Sequence, residues 1–112
     1  MDINEKEQLA RRHDDSKSAC ALRLSAALIT TGMKQKQIAA EAGIGEAVIS
    51  NAKSGLNYPT IPIMRWLYRG HRIDFNFLIS GEFSQLPSDV QDRLFDALKR
   101  LDVESEEGRT TS

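Results

Sequence analysis

The stretch "QIAAEAGIGEAVISNAKSG", residues 37–55, decides the fold. A polar, helix-favouring run is cut at Gly43 and then resumes with its apolar residues in step, although an uninterrupted helix would avoid the entropic cost of a glycine. Such a break marks a corner between two short helices. Close crossing at a corner imposes three requirements: a small residue where the second helix lies on the first, a residue at ease at positive φ, and a bulky apolar residue facing back into the core. Ala39, Gly43 and Ile49 supply them in that order, with Ile38, Ile44 and Ala52 apolar beside them. The pattern predicts a helix-turn-helix in which residues 46–54 project from the body as a rod.

The same punctuation extends to both sides. Upstream, Asp14, Asp15 and Ser16 are N-cap residues for a helix in which Cys20, Leu24, Ala27, Leu28 and Thr31 recur at helical spacing until Gly32. The two helices of the corner are read as "KQKQIAAEA" (34–42) and "EAVISNAKS" (46–54), with Val48, Ile49 and Ala52 inward in the second. Downstream, "LNYP" is a turn, and Thr60 caps a helix with Pro62 in its first turn and Ile61, Met64, Leu67 and Tyr68 on one face. Asp74 caps a short helix "FNFLIS", which Gly81 ends. After "LPS", Leu86, Val90, Leu94, Leu98 and Leu101 form a stripe of helical period.

The expected organisation is therefore all-α. Residues 1–13 are read as a mobile charged N-terminal arm or a weakly held helix, 14–82 as the helix-turn-helix domain, 83–103 as an amphipathic helix, and 104–112 ("ESEEGRTTS") as a disordered acidic tail. The stripe on the helix over 88–102 has two readings that the sequence leaves open: a further core layer in the same chain, or a dimer seam.

Composition narrows the function classes. The chain has 112 residues, room for one domain, and a net charge of −1. From Gly32 to Glu82 there are six bases (Lys34, Lys36, Lys53, Arg65, Arg69, Arg72) against four acids (Glu41, Glu46, Asp74, Glu82), whereas the balance after Glu82 is −3. No apolar run approaches the ~20 residues that span a bilayer, and "MDINEKEQLARRHDD" has no apolar segment behind its charges, so no membrane partner and a cytoplasmic location are expected. Cys20 is the single cysteine and reads as a small helix hydrophobe; His13 and His71 have no ligand-type neighbours, so no metal site and no cofactor are expected. Arg65, Arg69 and Arg72 recur at i, i+4, i+7, which most often means a solvated face, and Trp66 beside them reads as core. Asp89, Asp92 and Asp96 share helical spacing without a nucleophile or base, and no catalytic constellation or effector pocket is visible; an enzyme is not expected.

From about Leu24 to Glu82 the chain resembles the lambda-repressor and Cro-like (XRE) family of helix-turn-helix DNA-binding domains. The match is carried by "QIAAEAGIGEAVIS", by "SGLNYPTI" leading into the next helix, and by "RIDFNFLISGE" at the end. The resemblance implies a five-helix lambda-repressor-like bundle, here with an additional C-terminal amphipathic helix. It also implies a sequence-specific regulator of transcription, most often a repressor of phage or prophage type. Such a protein binds a double-stranded operator as a homodimer and is cytoplasmic, associated with the nucleoid when bound. Two-fold related reading helices about 34 Å apart would reach successive turns of the major groove, with the helix over 88–102 as one candidate seam.

Carried over residue by residue, the resemblance sets Glu46, Ala47, Ser50 and Asn51 against base edges. Asn51 suits an adenine edge, and Ala47 a thymine methyl. Lys34, Gln35, Lys36, Lys53, Ser54, Asn57 and Tyr58 fall where phosphates are gripped, Gln35 through its side-chain amide and the free N–H groups of a helix start. The chain departs from the pattern at Lys34 and Gly45, where the family caps its helices with Ser or Thr, and at Glu46, where the family favours Gln, Arg or Ser. With Lys53 the one base on the reading helix, monomer binding is expected to be weak. A second reading follows: a helix-turn-helix-fold interaction module that binds and modulates another regulator.

Overall fold

The most buried helix shows why the chain closes on itself. "KSACALRLSAALIT" carries alanines at 19, 21, 26 and 27 around Cys20, Leu24 and Leu28, and small residues let neighbouring helices approach on several sides at once. In the computed structural model, which describes the backbone of residues 1–110 and side chains to residue 105, this segment is α2 (Lys17–Thr30) and it touches the helices that follow. The order is α1 (Ile3–Ala10), α2, α3 (Gln35–Ala42), α4 (Glu46–Lys53), α5 (Ile61–His71), α6 (Phe75–Ser80) and α7 (Ser88–Thr110), with no strand among the described residues. The protein is all-α. Helix α2 packs on α4, α6 and α7, while α3 packs on both α4 and α5.

The stripe on α7 is used inside the chain. Val90, Leu94, Phe95 and Leu98 are buried against α2 and α1, and Phe95 meets Phe83 edge-on with ring centroids 5.1 Å apart. Four such side chains contribute about 1.5–3 kcal/mol each, which a dimer seam on this face would have to replace. The open choice between core layer and seam therefore closes in favour of packing within the chain. The backbone of α7 runs on as helix to Thr110, past the start of the tail read at 104, and residues 111 and 112 of that tail lie outside the described residues.

Of the two readings of residues 1–13, arm or weakly held helix, the structure has the helix, and it is docked. Asp2 caps α1 by accepting from Glu5 N at 2.8 Å, Arg11 ends it in the left-handed region, and Ala10 is fully buried. The fastener is Arg23 of α2, whose whole residue is 0 % exposed. Its guanidinium donates to the carbonyls of Ala10 (2.9 Å), Arg11 (3.0 Å), Asp14 (2.6 Å), Leu78 (3.1 Å) and Ile79 (2.7 Å), thereby tying the C-terminal ends of α1 and α6 together. Helix ends leave carbonyls without intrahelical partners, and a fork of five N–H donors suits a cluster of them. His13 completes the joint: its N–H donates to Ser80 O at 2.7 Å and its Nε2 lies 2.7 Å from Glu82 Oε1.

Three expected inward residues face solvent. Val48 is 38 % exposed, Ile61 57 % and Tyr68 55 %. The inward row of α4 is Ile49 and Ala52, and that of α5 is Ile63, Met64 and Leu67; at 100° per residue Val48 falls off the first row and Ile61 and Tyr68 lie well round from the second.

Candidate nucleic-acid interface

Gly43 turns the chain between α3 and α4 with φ +72°, and Ile44 N donates back to Ala39 O at 3.0 Å. A Cβ built on Gly43 would meet nothing within 4 Å, so the backbone conformation alone asks for glycine. Ala39 and Ile49 are buried at the crossing. Helix α3 starts at Lys34, whose N–H donates to Gln37 Oε1 at 3.2 Å; an ammonium cannot accept, so this is half of a capping box. Gly45 starts α4 with no side-chain cap.

The residues expected to read bases lie along α4, and those expected to grip phosphates lie at the start of α3 and at the far end of α4. Glu46, Ala47 and Ser50 are exposed along α4, and Asn51 is half-buried at its outer edge. The side-chain amide of Asn51 makes no hydrogen bond within the described chain, while its carbonyl accepts from Leu56 N (3.0 Å), Asn57 N (3.3 Å) and Ser54 Oγ (3.0 Å). The end of α4 is thus tied to the loop that follows, with the Asn51 amide left available.

Gln35 is engaged within the chain. Its Nε2 donates to Glu46 O at 3.2 Å and to Ser50 Oγ at 2.8 Å, and its Oε1 accepts from Lys53 Nζ at 3.2 Å. Both amide hydrogens are engaged, so the side chain braces α3 against α4 and leaves its backbone N–H, at the first turn of α3, to face an anion. Ser50 accepts from Gln35 and keeps its own hydrogen. Ser54 spends its hydroxyl hydrogen on Asn51 O, so as a phosphate donor it must first change partner. Lys34 and Lys36 are exposed at the start of α3, and Lys53, Asn57 and Tyr58 at the far end of α4.

Two cations missed in the sequence join that far end. Lys17 Nζ stands 5.7 Å from the Tyr58 ring centroid, and Arg11 Nη1 donates to Ser18 Oγ at 3.4 Å. A Cβ on Gly55 would lie 3.8 Å from Lys17 O, so the α4–α5 loop rests on the start of α2. The corner carries acid as well. Asp14 is held below the usual carboxylate range, chiefly by the backbone N–H of Ser16 and also by its hydroxyl, and offsets part of the positive charge. No local pattern could have found Lys17 or Arg11, because tertiary packing of the α4–α5 loop on α2 brings Lys17 to Tyr58, and the α1–α2 joint brings Arg11 to Ser18.

The described residues contain no group of three His, Cys, Asp or Glu side chains placed to hold a metal, and no helix long and apolar enough to cross a membrane. Comparison of the chain with protein-family models, with curated proteins and with solved structures finds no match in any of the three.

Proposed function

We propose that the chain is a sequence-specific regulator that binds double-stranded DNA and reads the major groove with α4, as a repressor of phage type with a lambda-repressor-like helix-turn-helix arrangement of α2–α6. The observation that carries this reading is the Gly43 corner, which leaves Glu46, Ala47, Ser50 and the unbonded Asn51 amide along one side of α4, braced by Gln35. Groups that grip phosphates flank that face. Lys34, Lys36 and the N–H groups of the first turn of α3 stand on one side, and Lys53, Asn57, Tyr58, Lys17 and Arg11 on the other. A homodimer remains part of the proposal, because one α4 bears a single base; burial of the α7 stripe within the chain favours a seam on another face.

One observation favours the second reading, an interaction module that modulates another regulator: Val48 stands exposed on α4, on a flank that carries no base. Selection of the purified chain against random duplex DNA at low and moderate salt separates the two, with Asn51→Ala in parallel. The DNA reading expects a palindromic site that blurs in the mutant and an affinity that falls steeply with salt. Failure to enrich any site at either salt would overturn it.

A further inference from the structure

The cleft between the end of α3 and the outer flank of α5 takes no part in the proposed DNA contacts. It has a volume of about 400 Å³. Trp66, Arg65, Arg69 and Glu41 supply its aromatic and charged groups, and Ala42, Pro62 and Gly70 leave space between them. A Cβ on Gly70 would meet nothing within 4 Å. The indole is held from two sides: Nε1 donates to Glu41 Oε1 at 3.3 Å, and the ring lies against His71 with centroids 4.7 Å apart.

Arg65 and Arg69 lie one helical turn apart, so their Cβ atoms are about 6 Å from each other. Both are exposed, and among the described residues neither has a carboxylate within ion-pair distance, although Glu41 lines the same cleft. Arg72, the third member of the stripe, is occupied by Asp89 at 2.6 and 3.4 Å. Two open guanidinia beside an oriented indole face form a site with a definite complement: a dianion for the pair of forks and a flat ring for the indole.

We infer that this cleft binds a small molecule that joins a planar ring to a phosphate, of mononucleotide size. The ring stacks on Trp66 and the phosphate bridges Arg65 and Arg69. Because Glu41 and Ala42 belong to α3, a ligand here touches the helix that braces α4; on the DNA reading, and only on it, the cleft is an effector site.

Trp66 is the chain's single tryptophan and therefore the probe. Adenosine 5′-monophosphate is titrated into the full chain, without DNA, while indole emission is followed; inorganic phosphate and adenosine are titrated separately. Saturable quenching by the nucleotide is expected, with a midpoint that rises with salt and is at least about tenfold below that of either fragment. Arg65→Gln with Arg69→Gln should raise the midpoint on the order of a hundredfold, since a hydrogen bond to a charged group contributes roughly a factor of ten. Gly70→Leu, which adds bulk to open space without a strained φ, should abolish quenching while circular dichroism stays unchanged. No saturation by about 10 mM nucleotide, equal quenching by phosphate alone, or indifference to both variants would each overturn the inference. Since DNA is absent throughout, such a result leaves the DNA reading standing.

Discussion

Arg23→Met should loosen the protein at one defined joint. Five carbonyls accept from the guanidinium, and the hydrogen bonds formed elsewhere decide which of them are orphaned. Arg11 O keeps a bond from Asp14 N at 3.0 Å, and Ile79 O keeps a thiol contact from Cys20 at 3.6 Å. Ala10 O, Leu78 O and Asp14 O lose the one side-chain partner that reaches them. Each buried orphan costs about 1–3 kcal/mol. Relief of the cost of burying an ion, which pushes the Arg23 pKa below its ordinary value, returns part of this. A net loss of about 4 kcal/mol is expected, a large share of the ~6–17 kcal/mol that a chain of this length typically has. Urea unfolding followed by circular dichroism measures it, and hydrogen exchange should show lost protection concentrated at the ends of α1 and α6. Arg23→Lys, with three donors on a point charge, should recover less than half. A loss below about 1 kcal/mol for Arg23→Met would refute the reasoning, because the carbonyls would then be satisfied without the guanidinium.

Gly81→Ala and Gly43→Ala differ in a way the geometry anticipates. Both sit near φ +72°, but a Cβ on Gly81 would meet Ala10 O at 2.7 Å and Arg12 Cα at 3.0 Å, whereas one on Gly43 meets nothing. Thermal unfolding should therefore show a loss of about 1–2 kcal/mol for Gly43→Ala, the conformational penalty alone, and clearly more for Gly81→Ala; equal losses would count against a close approach of α1. On the DNA reading, Lys17→Ala and Arg11→Ala should each reduce the slope of log affinity against log salt by up to about 0.9 without changing the selected site, and an unchanged slope would remove these residues from the phosphate contacts. For Glu82, partial burial pushes the carboxyl up, but the bonds from Arg12 and His13 outweigh it and hold the group below its ordinary value of 4.5. A depressed folded value contributes stability that is fully present above the unfolded value and is lost as pH falls through the folded one. Stability measured across that acid range should fall less steeply in Glu82→Gln than in the native chain.

The parts of the fold that were legible depend on local chemistry. Gly43 and Gly81 end their helices at positive φ, Ser16 and Asp74 cap by accepting from the N–H three residues on, and these signals sit next to one another in the chain. What escaped depends on partners distant in sequence. Helix α1 has little apolar surface, with Ile3 exposed and Leu9 half-buried, so nothing in its own composition announces docking. Its attachment is polar, through carbonyls that every sequence possesses and a guanidinium thirteen residues beyond Ala10. The same applies at the candidate interface. The braced corner follows from Ala39, Gly43 and Ile49, but the contacts of Gln35 to α4 were not legible, because a side-chain amide at the start of α3 serves an anion or a neighbouring helix equally well, and the spacing to Ser50 is tertiary.

The absence of net positive charge on α4, where Glu46 offsets Lys53, by itself argues against DNA and has to be weighed in the same terms. Lys17 reaches the far side of the corner because the start of α2 lies against the α4–α5 loop, and Arg11 because the α1–α2 joint is closed by Arg23 and seated on Ser80 and Glu82. Charge on that side is thus a property of the tertiary joint. Loosening the joint should weaken phosphate contacts some distance from Arg23 while leaving base preference at Asn51 intact. Arg23→Lys tests this under conditions where it stays folded: the selected DNA site should persist while the salt slope falls toward that of Arg11→Ala. A blurred site with an unchanged slope would mean that the joint acts on α4 and not on the cations it carries.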